Sequence, residues 1–329
     1  MAENDSHQCD VALEAVRRAA RVCQSVQATI TDEFLEKKDR SPVTVADYCS
    51  QAVVCRALQS AFPNDPVIGE EDSTELREGE NAKFLDRIVA ELADIGIDAT
   101  GDGVCDWIDR GAAGDYSDRF WTLDPIDGTK GFLRGEQYAI SLALIENGNI
   151  QLAVLGCPNL PVDPTRPGQT GALLYATRGG GSWIAPLDKS GVPIQIGVSH
   201  TEQTSDARLC ESVESGHSAH GKSAEVATDL GIRRDPVRLD SQAKYAVVAR
   251  GEADVYLRLP TRADYREKIW DHAGGVLVVE EAGGRVTDVA GKDLEFTHGR
   301  ELAQNRGVVV SNALLHDHII SALASADVS

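Results

Sequence analysis

The sequence predicts an α+β chain whose second part turns α/β, and three observations carry that prediction. Up to about residue 199, helical periodicity comes first and strands joined by hairpin-type turns follow, as in an α+β unit with a mostly antiparallel sheet. From about residue 200, strands and helices alternate, the pattern of a parallel or mixed sheet. The composition, 42% hydrophobic and 26% charged over 329 residues, is that of an ordinary globular protein long enough for two domains or one large one. The change of texture puts an N-terminal α+β domain over residues 1–199 and a C-terminal α/β domain over 200–329. No internal repeat, low-complexity tract or long linker interrupts either part.

Residues 10–28 read as a helix, with Val11, Ala15, Ala19, Val22 and Val26 at three- and four-residue steps. A charged loop, 37–39, leads to Ser41-Pro42-Val43-Thr44-Val45-Ala46-Asp47 and a second helix ending near Phe62. Thr44 is a fair N-cap, and Asp47 stands three residues on, as in a capping box. Residues 67–71, VIGEE, form a short strand closed by two glutamates, and 81–93 a surface helix. Residues 98–109 space their acids roughly like a calcium loop. Cys105 at the eighth position, Asp109 at the twelfth and the lack of a following helix argue instead for a solvated loop.

Phe120 to Leu123 is an apolar strand, and 138–145 and 150–157 are two more, joined by the hairpin signal Asn147-Gly148. Residues 171–177 and 193–198 add strands, with a turn at Arg178-Gly179-Gly180-Gly181 that is no dinucleotide fingerprint. Beyond 200, strands fall at 207–213, 237–239, 253–257, 285–287 and 308–310. Helices fall at 222–230, 241–250, 270–282 and 314–324, and Gly283-Gly284 caps the third.

Net charge is −20, from 32 basic and 52 acidic residues, which opposes nucleic acid and anionic membranes as partners. It does not oppose a small anionic substrate, provided bound metal ions and a few local cations reverse the field at the site. No run approaches the ~18 apolar residues of a membrane helix. The polar, acidic N-terminus has neither the order of a signal peptide nor the character of a transit peptide, so a cytoplasmic location is expected. Seven scattered cysteines without a C-x-x-C indicate reduced thiols and no zinc site.

The stretch FWTLDPIDGTKGFL, from Phe120 to Leu133, organises the rest. Pro125 fixes its own φ and biases Asp124 towards extended backbone, and Gly128 permits a turn. The expected product is a rigid elbow at a strand end that aims two carboxylates and a backbone carbonyl at one point, as hard cations such as Mg²⁺ require. Taken alone, such a segment is an ordinary surface turn. Three further acidic motifs stand in the chain: Asp47, Glu70-Glu71, and Asp271 in Trp270-Asp271-His272-Ala273-Gly274-Gly275. Each alone reads as a helix-start or turn acid.

With GEE, WTLDPIDGT and WDHAGG in this order, the chain resembles the lithium-sensitive, magnesium-dependent phosphatases of the inositol monophosphatase superfamily. Within it, SPVTVADY, the continuation KGFLRGEQYAISLALIENG, LDSQAKYAVVARGEADVYLRLP and YREKIWDHAGG are most similar to the 3′(2′),5′-bisphosphate nucleotidases. The resemblance runs from about residue 10 to 320 and implies an α-β-α-β-α layered sandwich with the site between its two parts. It implies that Glu70, Asp124 and the Ile126 carbonyl hold one Mg²⁺, and that Asp124, Asp127 and Asp271 hold a second. Glu70 would help hold a third through waters. Asp47 and Thr129 would orient and deprotonate the attacking water, with His217, Ser241, Lys244 and Arg258 on the nucleotide and Asp271 and Thr129 also beside the substrate.

The implied reaction removes the 3′-phosphate of adenosine 3′,5′-bisphosphate, with 3′-phosphoadenylyl sulfate as a second substrate and a place in sulfur assimilation. The expected partner is that small molecule alone, handled by a monomer or small homo-oligomer. The rivals are an inositol polyphosphate 1-phosphatase and a catalytically inactive nucleotide or metal sensor. Independently of family, slow phosphate-monoester hydrolysis calls for large transition-state stabilisation, which paired metals supply.

Overall fold

The computed structural model describes residues 3–29, 35–36, 42–43, 45–213, 220–262, 264–326 and 328. Three layers of helix alternate with two sheets, as the resemblance implies. Helices α1 (Glu3–Ala28) and α2 (Val45–Ala61) form the first layer, with a two-stranded antiparallel pair, β1 (Leu35–Glu36) and β2 (Pro42–Val43), between them in the chain. The first sheet has seven strands: β3 (Val67–Gly69), β4 (Arg119–Asp127), β5 (Ala139–Glu146), β6 (Asn149–Pro161), β7 (Thr170–Thr177), β8 (Ser182–Pro186) and β9 (Ile194–Ile196). They lie in chain order across the sheet; β3 and β4 are parallel and every later pair is antiparallel. Helices α3 (Ala82–Asp94) and α4 (Gly101–Asp109) precede β4, and the short α5 (Thr129–Leu133) follows it.

The second sheet contains β10 (Leu209–Glu211), β11 (Val237–Arg238), β12 (Val255–Arg258), β13 (Arg285–Thr287) and β14 (Val308–Ser311), in the order β11-β10-β12-β14-β13. Its β10 pairings are parallel and its β14 pairings antiparallel, so the sheet is mixed. Helices α6 (His220–Asp229), α7 (Ala243–Ala249), α8 (Ala273–Glu281) and α9 (His316–Ser325) complete the chain.

The period-two alternation of strand side chains builds the layers. On β6, Leu152 and Val154 face the core beneath α1 and α2, while Ala153, Leu155 and Cys157 face the core shared with α7 and α8. On β12 and β14, Tyr256, Val308 and Val310 join that same middle core. Val255, Leu257 and Val309 point the other way, towards Val226 of α6 and Ile319 and Leu323 of α9. Helix α8 is therefore sandwiched between sheets, and its residues from Ala273 to Val279 are all buried. That explains a helix apolar on every side. A Cβ on Gly275 would lie 2.2 Å from Cγ of Tyr245, so glycine permits the close approach of α7 and α8.

Several expectations need correction. Residues 101–109 form α4, where a loop was expected: Thr100 caps the helix by accepting from the Gly103 N–H at 3.2 Å. Val104, Cys105 and Ile108 are buried beneath it. Asp109 accepts from the Ser73 N–H at 2.9 Å and the Ser73 hydroxyl at 2.7 Å, so it is a protein-bound acid. Strand β8 went unrecognised because SWIAP follows three glycines and ends in proline. The element expected over 270–282 opens as a 3₁₀ turn, Ile269–Asp271, before α8 begins. The Thr44 cap and the 37–39 loop lie outside the described residues. Among the described residues, no helix is long and apolar enough to cross a membrane.

His316 is 1% exposed and ties β13 and β14 to the start of α9. The Thr287 hydroxyl donates to the Asp288 carbonyl at 2.9 Å, so it accepts from His316 Nε2 at 2.8 Å. The Ser311 hydroxyl, which accepts from the Ala313 N–H, lies 2.8 Å from Nδ1 and can donate to it. Burial holds this imidazole neutral, with its pKa lowered to about 4. The unfolded chain takes up that proton near pH 6.5, so stability is lost as pH falls from about 6.5 to 4, by up to roughly 3 kcal/mol. Melting curves in Mg²⁺ should therefore fall more steeply from pH 7 to 5 for the unsubstituted chain than for His316→Asn; equal slopes would refute the assignment.

Candidate active site

The DPID segment forms the last four residues of β4, which runs past Leu123 to end at Asp127, so the expected elbow does stand at a strand end. Pairing with β5 is regular from Arg119↔Glu146 to Asp124↔Ser141, then slips by one residue to Asp127↔Ala139. Pro125 has no N–H for the ladder, so the slip falls where the sequence removes a donor. The bulge is held from α2, where the Ser50 hydroxyl donates to the Pro125 carbonyl at 2.8 Å. Gly128 then takes φ +86, and Thr129 opens α5 with its hydroxyl donating to the Ile126 carbonyl at 3.3 Å.

The Glu70 turn is held from two sides. The Gln51 amide of α2 donates to the carbonyls of Glu71 (2.6 Å) and Ile108 (2.9 Å) and accepts from the Glu71 N–H at 3.1 Å. Arg300 donates to the Gly69 carbonyl at 2.8 Å and lies 4.6 Å from the ring centroid of Trp270, the neighbour of Asp271. Asp271 itself ends the 3₁₀ turn. Arg258, at the end of β12, contacts Asp271 Oδ2 at 3.2 Å and forms an ion pair with Glu267 at 2.6 Å. Glu267 also meets His272 Nε2 at 3.1 Å, and His272 Nδ1 meets the Tyr245 hydroxyl at 2.6 Å.

Asp124, Asp127 and Asp271 offer carboxylate oxygens that all lie within 4.8 Å of one another. Burial, then Glu70 and the other acids including Asp47, drive the Asp124 pKa well above its ordinary value. Burial raises Asp127 against the opposing pull of Lys244 and Arg258. Burial and Asp127 push Asp271 up to about 7 despite Arg258. Asp124 Oδ1 is buried and accepts no hydrogen bond. A cluster of acids that repel one another and include an unmatched buried oxygen is costly to the fold alone. A hard divalent cation is the partner that removes the cost, and the all-oxygen donor set fits one. A second potential ligand group, Glu267, Asp271 and His272, is already engaged by Arg258 and Tyr245.

The structure thus brings together Asp124, Asp127 and Asp271, with the charges of Glu70 and Asp47 acting on Asp124. Lys244 is buried behind them: its Nζ lies 5.2 Å from the Tyr256 ring centroid, and burial lowers its pKa. Ser241 takes φ +66 against Gly128, whose Cβ, if present, would lie 2.9 Å from Ser241 Cβ. His217 lies outside the described residues. Sequence reasoning missed Gln242, Glu267, His272, Tyr245 and Arg300. Gln242 sits between two residues that were singled out, and Glu267 and His272 flank Asp271; Arg300 lies in a loop with no signal of its own.

Comparison with known proteins bears on this geometry. The family model described as "Inositol monophosphatase family" matches residues 3–327. A 3′(2′),5′-bisphosphate nucleotidase of Schizosaccharomyces pombe is 45% identical over 96% of this chain and 94% of its own length. Proteins of the same name from Emericella nidulans (43%; 94% of this chain, 95% of its own) and Oryza sativa (42%; 96% and 93%) are similar. Among solved structures, the Thermotoga maritima IMPase superposes with a TM-score of 0.67 at 23% identity, covering 97% of this chain and 98% of its own. The suhB protein of Bartonella henselae gives 0.66 at 20%, covering 95% and 97%. By a match that spans nearly its whole length, the chain belongs to the inositol monophosphatase family.

Proposed function

We propose that this chain is a Mg²⁺-dependent 3′(2′),5′-bisphosphate nucleotidase that converts adenosine 3′,5′-bisphosphate and water into AMP and phosphate. 3′-Phosphoadenylyl sulfate is a second substrate, and Li⁺ inhibits. The relatives named for this activity support the reading, at 45–42% identity over nearly the full chain. The single observation that carries the metal dependence is the trio Asp124, Asp127 and Asp271 around an unmatched carboxylate oxygen. Glu70, Asp124, the Ile126 carbonyl, Asp127 and Asp271 hold the ions, which when bound supply positive charge to the attacking and leaving oxygens.

Asp47 is 1% exposed in the first turn of α2, fixed by the helix it helps to start. With the Thr129 hydroxyl it orients the attacking water and accepts its proton. Phosphorus gains the bond to that oxygen and loses the bond to the ribose 3′ oxygen, which takes up a proton. Lys244 and Arg258, with Ser241 and His217, meet the nucleotide and the phosphate that stays. Release of phosphate from adenosine 3′,5′-bisphosphate is expected with Mg²⁺, lost in EDTA and suppressed by millimolar Li⁺. No release with Mg²⁺ would end the proposal, and a higher kcat/KM on inositol 1,4-bisphosphate would transfer it to the inositol polyphosphates.

A further inference from the structure

Gln242 is 1% exposed just before α7; its carbonyl starts that helix, while its N–H and both ends of its side-chain amide reach the acid cluster or the segments beside it. Its backbone N–H donates to Asp127 Oδ2. Its side-chain NH₂ donates to the carbonyl of Trp270, the residue before Asp271, at 2.9 Å. Its side-chain oxygen accepts from the Ser141 hydroxyl at 3.1 Å and from the Gly275 N–H of α8 at 3.0 Å. Ser141 is the residue opposite Asp124 in the β4–β5 ladder. One residue therefore touches Asp127 directly, the peptide next to Asp271, and the strand partner of Asp124.

Two local features exist to permit this. Ser241 holds φ +66, a conformation that residues other than glycine rarely adopt, and it is the residue that turns the Gln242 N–H towards β4. A Cβ on Gly274 would lie 2.3 Å from the Ser141 hydroxyl, so any larger residue there would displace the Ser141–Gln242 contact. The chemistry demands an amide: a donor for one carbonyl and an oxygen with two lone pairs for two donors. Glutamate lacks the donor and would add charge to an acidic cluster; methionine has neither group.

We propose that Gln242 is a positioning residue that sets the mutual placement of the three acids and with it their affinity for divalent ions. This rests on the reading that Asp124, Asp127 and Asp271 hold such ions. Residues that orient metal ligands from behind are worth roughly 10- to 100-fold in metal affinity. Titration calorimetry of Mg²⁺ into the full chain, without substrate, is the test. Gln242→Met, which fills a similar volume, is expected to weaken binding about 10- to 100-fold, and Ser141→Ala, which removes one of the four bonds, roughly three- to ten-fold.

Melting in EDTA is recorded alongside. A variant that melts lower but binds Mg²⁺ within two-fold of the unsubstituted chain would show a merely structural role and overturn the inference. Should Gln242→Met fail to fold, Ser141→Ala decides by the same criterion. An unsubstituted chain that binds no Mg²⁺ overturns the reading of the cluster and the inference with it.

Discussion

An Asp124→Asn chain is expected to release phosphate at least ~10³-fold more slowly than the unsubstituted chain, yet to melt higher in EDTA at pH 8. The first half follows from position: Asp124 is the acid on which the charges of Glu70, Asp127, Asp271 and Asp47 all act. Losing several kcal/mol of transition-state charge stabilisation at about 1.4 kcal/mol per tenfold gives a loss of this size. The second half follows from cost. Asp124 is buried, one of its oxygens accepts no hydrogen bond, and its pKa is driven well up. An amide of the same shape removes a carboxyl group that the ion-free protein must, at pH 8, either keep charged among buried acids or protonate at a cost.

The same sign governs pH. Asp271 is raised to about 7 in the fold, against an unfolded value of about 3.9. The folded state then holds the extra proton, so the stability it confers is full at acid pH and is lost as pH rises from about 4 to 7. The upper bound for this one group is about 4 kcal/mol. In EDTA the unsubstituted chain should lose melting temperature over that range relative to Asp124→Asn, in which the opposing His316 contribution is the same, and Mg²⁺ should restore it. A variant that melts lower than the unsubstituted chain in EDTA at pH 8 would contradict the account.

Most strands and helices were legible because their signals are local, as in the Asn147-Gly148 hairpin and the alternating strands, whereas the layering was expected only from the resemblance. α4 was not legible because its two glycines and scattered acids look like a loop until Val104, Cys105 and Ile108 find a core to cover. The same split divides the site. Asp124 and Asp127 announce themselves by spacing, whereas convergence with Asp271 comes from the packing of the 3₁₀ turn before α8 against β4. Arg300 clasps the Glu70 turn and Trp270 from a loop, across 231 positions of chain in its bond to Gly69. Gln242 was passed over because an uncharged amide in a helix start carries no pattern; only its four partners give it meaning.

Asp47→Asn should separate chemistry from ion binding. Asp47 stands 1% exposed in the first turn of α2, on the same helix whose Ser50 braces the Pro125 carbonyl and whose Gln51 braces the Glu70 turn. Asparagine keeps its volume and its capacity to accept hydrogen bonds but cannot take a proton from water. The expected loss in kcat is 10²- to 10⁴-fold, the usual worth of a positioned general base. Mg²⁺ affinity, measured by calorimetry, should stay within a few-fold, because the three acids proposed to hold the ions, on β4 and the 3₁₀ turn, are untouched. Thr129→Val should lower kcat in the same direction, and the double variant should lose little more than Asp47→Asn alone, since groups that act as a unit are not additive. Additive losses would mean that Asp47 and Thr129 act separately, and a collapse of Mg²⁺ binding in Asp47→Asn would move Asp47 from the water to the ions.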